Sequence, residues 1–136
     1  MTTQYWLVKS EPDSYAWSDL VRDRKTAWTG VRNYQARIHL NTMQTGDRVL
    51  FYESVTTKAV AGIAEVTKTA FPDSTADEPG WVAVELKAVE PLAKPVTLSQ
   101  IKSEPALAEI GLVRQGRLSV VPLSAKDFKK IVQLGS

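Results

Sequence analysis

The stretch Trp81-Val-Ala-Val-Glu-Leu-Lys-Ala-Val89 sets Val82, Val84, Leu86 and Ala88 against the intervening Glu85 and Lys87. Successive strand side chains point to opposite faces, so this period of two predicts a strand with one face on a core. Ala59 to Thr69 also reads as a strand, and the two are expected to pair as neighbours. Between them, Phe71-Pro-Asp-Ser-Thr-Ala-Asp-Glu-Pro-Gly80 is dense in turn formers and acids, which predicts a loop rather than a domain boundary.

Working outward, Gln4 to Lys9 reads as a strand stopped by Glu11-Pro12-Asp13, Arg48 to Glu53 as a central strand, and Arg117 to Val121 as a final one. Short helices are predicted between them. Tyr15 to Val21 follows the possible caps Asp13 and Ser14. Tyr34 to Met43 places Tyr34 and Ile38 inward, with Ala36 and Leu40 as further candidates, and ends at Thr45-Gly46-Asp47. Leu98 to Glu104 and Ala106 to Ile110 are punctuated by Pro95 and Pro105. Ser124-x-x-Asp127 imitates a capping box and opens a terminal helix carrying Phe128, Ile131, Val132 and Leu134. Strands with interspersed short helices, without regular βαβ alternation, define an α+β fold with a mixed, barrel-like sheet.

At 136 residues and 43% hydrophobic, residues 1–136 are expected to form a single domain, with no room for a second. The absence of cysteine excludes disulfides and thiolate metal sites, and the lone His39 cannot build a metal site, so no metal or cofactor is expected. No run approaches eighteen apolar residues and no basic segment precedes a long apolar one, so membrane spanning and export are not expected; the expected setting is cytoplasmic. The oligomeric state is not legible. The formal net charge is only +2, but its distribution is uneven. Residues 22–48 carry six Arg or Lys against Asp23 and Asp47, whereas residues 65–90 carry six Asp or Glu against Lys68 and Lys87.

The chemistry concentrates in Trp28-Thr-Gly-Val-Arg-Asn-Tyr-Gln-Ala-Arg37, where an aromatic, a glycine turn and polar side chains precede a helix. Gly30 permits a close turn, Asn33 is a good N-cap, and Trp28 and Tyr34 offer stacking faces for a flat polar ligand. Core packing is the competing role for Trp28, as capping is for Asn33. Trp6 and Trp17 read as core, while Trp81 suits either a rim or a strand anchor. Ser10 and Glu11 end the first strand where Pro12 stops the ladder, so their groups can address a base edge; a Glu accepts from exocyclic amino groups. Arg32 and Arg37 lie in the basic half and suit phosphates. Arg117 and Ser119, two apart on the last expected strand, share a face, where Arg117 suits a phosphate or a structural pairing.

Tyr5-Trp-Leu-Val-Lys-Ser-Glu-Pro12, the Trp28 segment, Met43-x-x-Gly-Asp47 running into Leu50-Phe-Tyr52, Gly62-Ile-Ala-Glu-Val66 and Gly116-Arg-Leu-Ser-Val-Val-Pro122 occur in one order over Tyr5 to Leu134. In this the chain closely resembles the EVE domain family of the PUA-like superfamily. It is also similar to the YTH RNA readers through Lys9-Ser10, Trp28 and the Gly62 strand. The resemblance implies a PUA-like pseudobarrel that binds nucleic acid and accommodates an extruded, modified base in an aromatic pocket. One departure stands out: Tyr52-Glu53-Ser54 replaces the family's usual Tyr-His-Ser, which exchanges a group that donates and accepts for one that only accepts. Glu53 either faces the ligand or braces the pocket.

The expected function is therefore a non-enzymatic reader of DNA or RNA. Ser10, Glu11, Trp28, Asn33, Tyr34, Tyr52, Glu53 and Ser119 would form the base pocket, and Arg32, Arg37 and Arg117 would meet phosphates. The alternative is an enzyme acting on a nucleobase or RNA in the same pocket, with Glu11 and Glu53 as an acid/base pair. No cysteine nucleophile, phosphate-cradling glycine loop or metal cluster supports it. A pure protein-interaction domain would leave the polar pocket residues without a purpose.

Overall fold

The computed structural model describes residues 3–136. Six strands form one mixed sheet: β1 (Tyr5–Ser10), β2 (Lys25–Ala27), β3 (Arg48–Glu53), β4 (Ala59–Pro72), β5 (Val82–Thr97) and β6 (Val120–Leu123), in the spatial order β2-β5-β4-β3-β1-β6. Only β1 and β3 run parallel; every other pairing is antiparallel. A parallel pair needs a long crossover, and here it contains α1 (Trp17–Asp23), β2 and α2 (Tyr34–Thr42). The C-terminal ends of β1 and β3 consequently lie side by side, with Ser10 opposite Glu53 and Ser54 N donating to Ser10 O at 2.9 Å. The chain continues through α3 (Leu98–Ser103), a 3-10 turn (Pro105–Leu107), α4 (Gly111–Arg114) and, after β6, α5 (Ala125–Leu134).

The expected β4–β5 pairing forms, but β5 runs well past Val89 to Thr97, through Pro91 and Pro95. Proline lacks the ladder donor and is confined to edges and bulges. Both conditions hold here: β2 covers β5 only at Glu85 to Lys87, and the β4–β5 register shifts between Val60 and Gly62, where Pro91 faces Gly62 and Val96 faces Val60.

Helix α2 turns a different face inward from the expected one. Ala36 and Leu40 are fully buried, while Tyr34 and Ile38 are 68% and 62% exposed. Both pairs are spaced i, i+4, but the stripe through Ala36 and Leu40 continues onto Met43, which is also buried, whereas the one through Tyr34 and Ile38 runs onto Asn41 and Thr42. Asn33 caps the helix, its Oδ1 accepting from Ala36 N at 2.9 Å. Helix α1 starts later than expected and is not capped by Asp13 or Ser14; Asp19 Oδ2 accepts instead from Ala16 N at 2.8 Å. Ser124 caps α5 as expected.

Phe51 lies at the centre of the core, with the edges of Trp17 and Trp28 at 5.6 and 5.5 Å between ring centroids. The Trp17 indole covers Gly62 so closely that a Cβ there would overlap its six-membered ring. Trp6 is also core, its indole N–H donating to the buried Asp47 at 3.0 Å.

Candidate nucleic-acid interface

A cleft of about 470 Å³ opens beside the end of β1, bounded by residues 9–11, 14–15, 26–33 and Ser119. Its volume is in the range of small-ligand sites. Trp28 is fixed from both directions: its backbone N donates to Val84 O of β5 at 2.7 Å, and its ring meets Phe51 and Tyr15 in near-perpendicular, edge-to-face contacts at 83° and 84°. The two sequence readings of Trp28 therefore combine. It is only 8% exposed, and it lines the cleft. Held by edge contacts to two other rings, it is a rigid platform that needs little ordering when a flat ligand stacks on it.

The loop that carries Trp28 is tied down by Asp73, a residue sequence reasoning missed. The Asp73 carboxylate accepts from Gly30 N at 2.8 Å, from Arg32 Nη1 at 2.9 Å, and from both the N–H and the hydroxyl of Thr75 at 2.8 and 2.6 Å. Burial pushes its pKa up, but the bonds from Thr75, Gly30 and Arg32 outweigh that and hold the carboxyl well below the usual carboxylate range. Gly30 itself has φ of 85°, a left-handed conformation that glycine adopts without strain. The acidic loop between β4 and β5 thus reaches across 43 residues of sequence to set the cleft wall. The Asp73-x-Thr75 turn was visible in the sequence as a local signal; its partner was not.

Of the residues expected at the pocket, Ser10, Glu11, Trp28, Asn33 and Ser119 line the cleft together with Arg32. Ser10 Oγ donates to Tyr15 O at 2.6 Å, which leaves its oxygen lone pairs for a ligand donor. Glu11 is exposed, and among the described residues its carboxylate has neither an ion pair nor a hydrogen bond. Asn33 uses its Oδ1 for the cap and keeps its NH₂. Ser119 lies in a bend before β6 rather than on the strand, and Arg117 lies in a turn, so strand alternation does not put them on one face. Ser119 O instead accepts from Lys9 N at 3.0 Å, extending the pairing of β1 with β6.

The remaining expected residues sit elsewhere. Tyr34 and Arg37 lie outside the cleft lining, in a cluster with Trp81: the Tyr34 and Trp81 rings are 5.2 Å apart, and the Arg37 guanidinium carbon is 5.0 and 4.8 Å from them. Trp81 likewise lies outside the lining, and its O accepts from Asp73 N at 2.9 Å, which closes the base of the loop directly before β5. Arg37 also donates to Gly80 O at 3.2 Å. Tyr52 and Arg117 line a neighbouring groove of about 530 Å³, which shares Lys9, Glu11 and Ser119 with the cleft. Glu53 lines neither; its Oε2 accepts from Trp17 N at 2.9 Å and so caps α1 from a distance. Glu11 and Glu53 therefore do not form a pair across one cavity. Sequence reasoning also missed Tyr15, whose ring stands against Trp28, and Lys9, which lies between the two cavities.

A six-stranded mixed sheet flanked by short helices, with an aromatic-floored cleft at the ends of its parallel pair, is a PUA-like pseudobarrel. The chain belongs to the EVE domain family, which matches residues 4–134. Human thymocyte nuclear protein 1 is 30% identical over 166 aligned residues, covering 97% of this chain and 74% of that protein. A Rhodopseudomonas palustris protein solved by NMR shares 43% identity with a TM-score of 0.93, covering 98% of this chain and 93% of that one. The crystal structure of human THYN1 protein in complex with 5-methylcytosine-containing DNA superposes with a TM-score of 0.91 at 29% identity over 98% of both chains.

Proposed function

We propose that this chain is a non-enzymatic nucleic-acid reader that takes an unpaired or extruded modified base into the Trp28 cleft. The observation that carries this reading is the braced Trp28 platform beside polar groups with unused hydrogen-bonding capacity: the Glu11 carboxylate, the Asn33 NH₂ and the Ser10 hydroxyl oxygen. Stacking on an aromatic face contributes about 1–3 kcal/mol per base, enough to offset much of the cost of unstacking. Glu11 is a carboxylate acceptor at the cleft edge and suits an amino-bearing base such as cytosine or its 5-methyl derivative. The complex of human THYN1 with 5-methylcytosine-containing DNA supports the same ligand class.

The test is a comparison of oligonucleotides that differ only in 5-methylcytosine against cytosine, titrated against the wild type and Trp28→Phe. Phenylalanine retains the edge contacts within the core while offering a smaller stacking face. Wild-type preference for the modified strand, reduced several-fold in a Trp28→Phe variant that still unfolds cooperatively at a lowered melting temperature, is the expected result. Equal affinities of the wild type for both strands would overturn the reading for this modification, and an altered base recovered by mass spectrometry would make the chain an enzyme.

A further inference from the structure

The groove beside the base cleft collects cations that the fold does not pair. Lys9, Lys58, Lys102 and Arg117 line it against a single carboxylate, Glu11. Among the described residues none of the four comes within 4.0 Å of an acidic side chain, whereas Arg22, Lys25, Arg32, Arg48, Lys68, Lys87, Arg114 and Lys130 all do. Four like charges in one groove are notable in a chain whose formal net charge is +2. Mutual repulsion makes such a cluster unfavourable without an anionic counterpart.

The backbone holds these cations together from distant parts of the sequence. Lys58 ends the turn between β3 and β4, in which Val55 and Lys58 have φ of 66° and 51°. A β-branched residue in the left-handed region is a true outlier, sustained only by its surroundings. The surroundings are visible: Ser54 N donates to Ser10 O at 2.9 Å, and Lys58 O accepts from Leu98 N at 2.8 Å, which pins Lys58 to the start of the helix that bears Lys102. Lys9 Nζ donates to Gly116 O at 2.7 Å and so holds the turn that presents Arg117. Tyr52 adds a hydroxyl, and Leu98, Leu112 and Val113 supply apolar surface.

We infer that this groove carries the sugar-phosphate backbone of the strand whose base enters the Trp28 cleft, with Lys58, Lys102 and Arg117 as its phosphate contacts and Lys9 at the junction. The inference rests on the proposed base-reading function, because the shared wall of Lys9, Glu11 and Ser119 makes the groove the direct continuation of the cleft. It also moves the phosphate track away from Arg32 and Arg37. Those guanidinium groups are already engaged, by Asp73 and Thr75 and by Gly80 O and two aromatic rings respectively.

The experiment compares three proteins: wild type, the triple variant Lys58→Gln/Lys102→Gln/Arg117→Gln, and a control with the same charge change, Lys94→Gln/Lys126→Gln/Lys129→Gln, whose residues line neither cavity. Affinity for modified and plain single-stranded oligonucleotides is measured across a salt series. Each phosphate contact contributes about 0.7 to the slope of log K against log salt for a single strand. The groove variant should therefore flatten the slope by about two units and weaken both ligands alike, keeping the ratio between them, while the control follows the wild type. An unchanged slope in the groove variant, or equal flattening in the control, would overturn the inference. If the wild type does not distinguish the ligands but the groove variant still flattens the slope, the backbone track stands and the base reading fails. No nucleic-acid binding by the wild type overturns both.

Discussion

The Glu53 carboxylate accepts the backbone N–H of Trp17 at 2.9 Å, joining the end of β3 to the first turn of α1 across 36 residues. The first N–H groups of a helix lack intrahelical partners, and Ala16, which precedes α1, has no side-chain oxygen to supply one. Glu53 provides that acceptor from another strand. An imidazole would have a single acceptor nitrogen for this role and carry no negative charge toward the positive end of the helix. The departure from the family pattern at position 53 thus acts on the packing of α1.

It follows that Glu53→Ala should lower stability by about 1 kcal/mol, the usual cost of losing a helix cap, and leave the ranking of oligonucleotide ligands unchanged. Glu53→Gln keeps an acceptor and should lose less. Thermal melting together with a ligand panel checks both statements; a changed ranking at wild-type stability would place Glu53 at the ligand after all.

Asp73→Asn removes the charge that holds Gly30 N and Arg32 and turns an amide NH₂ toward at least one of the donors. A buried donor left without its acceptor costs about 1–3 kcal/mol. Beyond the lower melting temperature, the Gly30 loop should loosen, with faster amide exchange at Gly30 and a weaker preference among bases. Protection at Gly30 equal to wild type would show that the loop is held by other means.

The same carboxylate gives a pH signature. Its native pKa lies below the unfolded value of about 3.9, so between the two values the unfolded chain binds a proton that the native chain does not. Stability then rises with pH across that window, is complete above about pH 5, and is lost as the solution is acidified. Between pH 5 and pH 3 the wild type should lose about 1 kcal/mol more than Asp73→Asn. Parallel denaturant titrations at the two pH values measure that difference.

Gly62→Ala should destabilise by about 1–3 kcal/mol, because a methyl group at this position drives into the Trp17 ring. Trp17→Leu in the same background should recover part of the loss, whereas Trp17→Leu alone should only cost stability. Additive losses in the double variant would separate the two residues.

The parts of this structure that were readable from sequence are those decided by near neighbours. Asn33 and Ser124 sit directly before their helices and cap them, and the alternation around Leu86 marks a strand wherever the strand ends up. The choice of inward face in α2 was balanced between two stripes of equal spacing, and the underlying sheet chose Ala36 and Leu40. Trp28, Ser10, Glu11, Asn33 and Ser119 line one cleft, although Ser119 does so from a bend and not from the strand its spacing with Arg117 suggested. The roles of Glu53 and Asp73 were hidden because each depends on a partner 36 to 43 residues away, and no periodicity encodes such a pairing. The length of β5 was hidden for a related reason: Pro91 and Pro95 argue against a strand unless one knows that β2 does not reach them.

The latch from Asp73 to Gly30 also sets an order of events during synthesis. The Trp28 platform is translated early, but its loop is held by residue 73, its backbone anchor is Val84, and the opposite wall ends at Ser119. Contacts of such long sequence separation form late, because loop closure precedes their reward. A nascent chain that has emerged only through β3 carries the aromatic platform without a cleft around it. The complete cleft therefore requires the chain through Ser119, and no shorter nascent chain contains all of its walls.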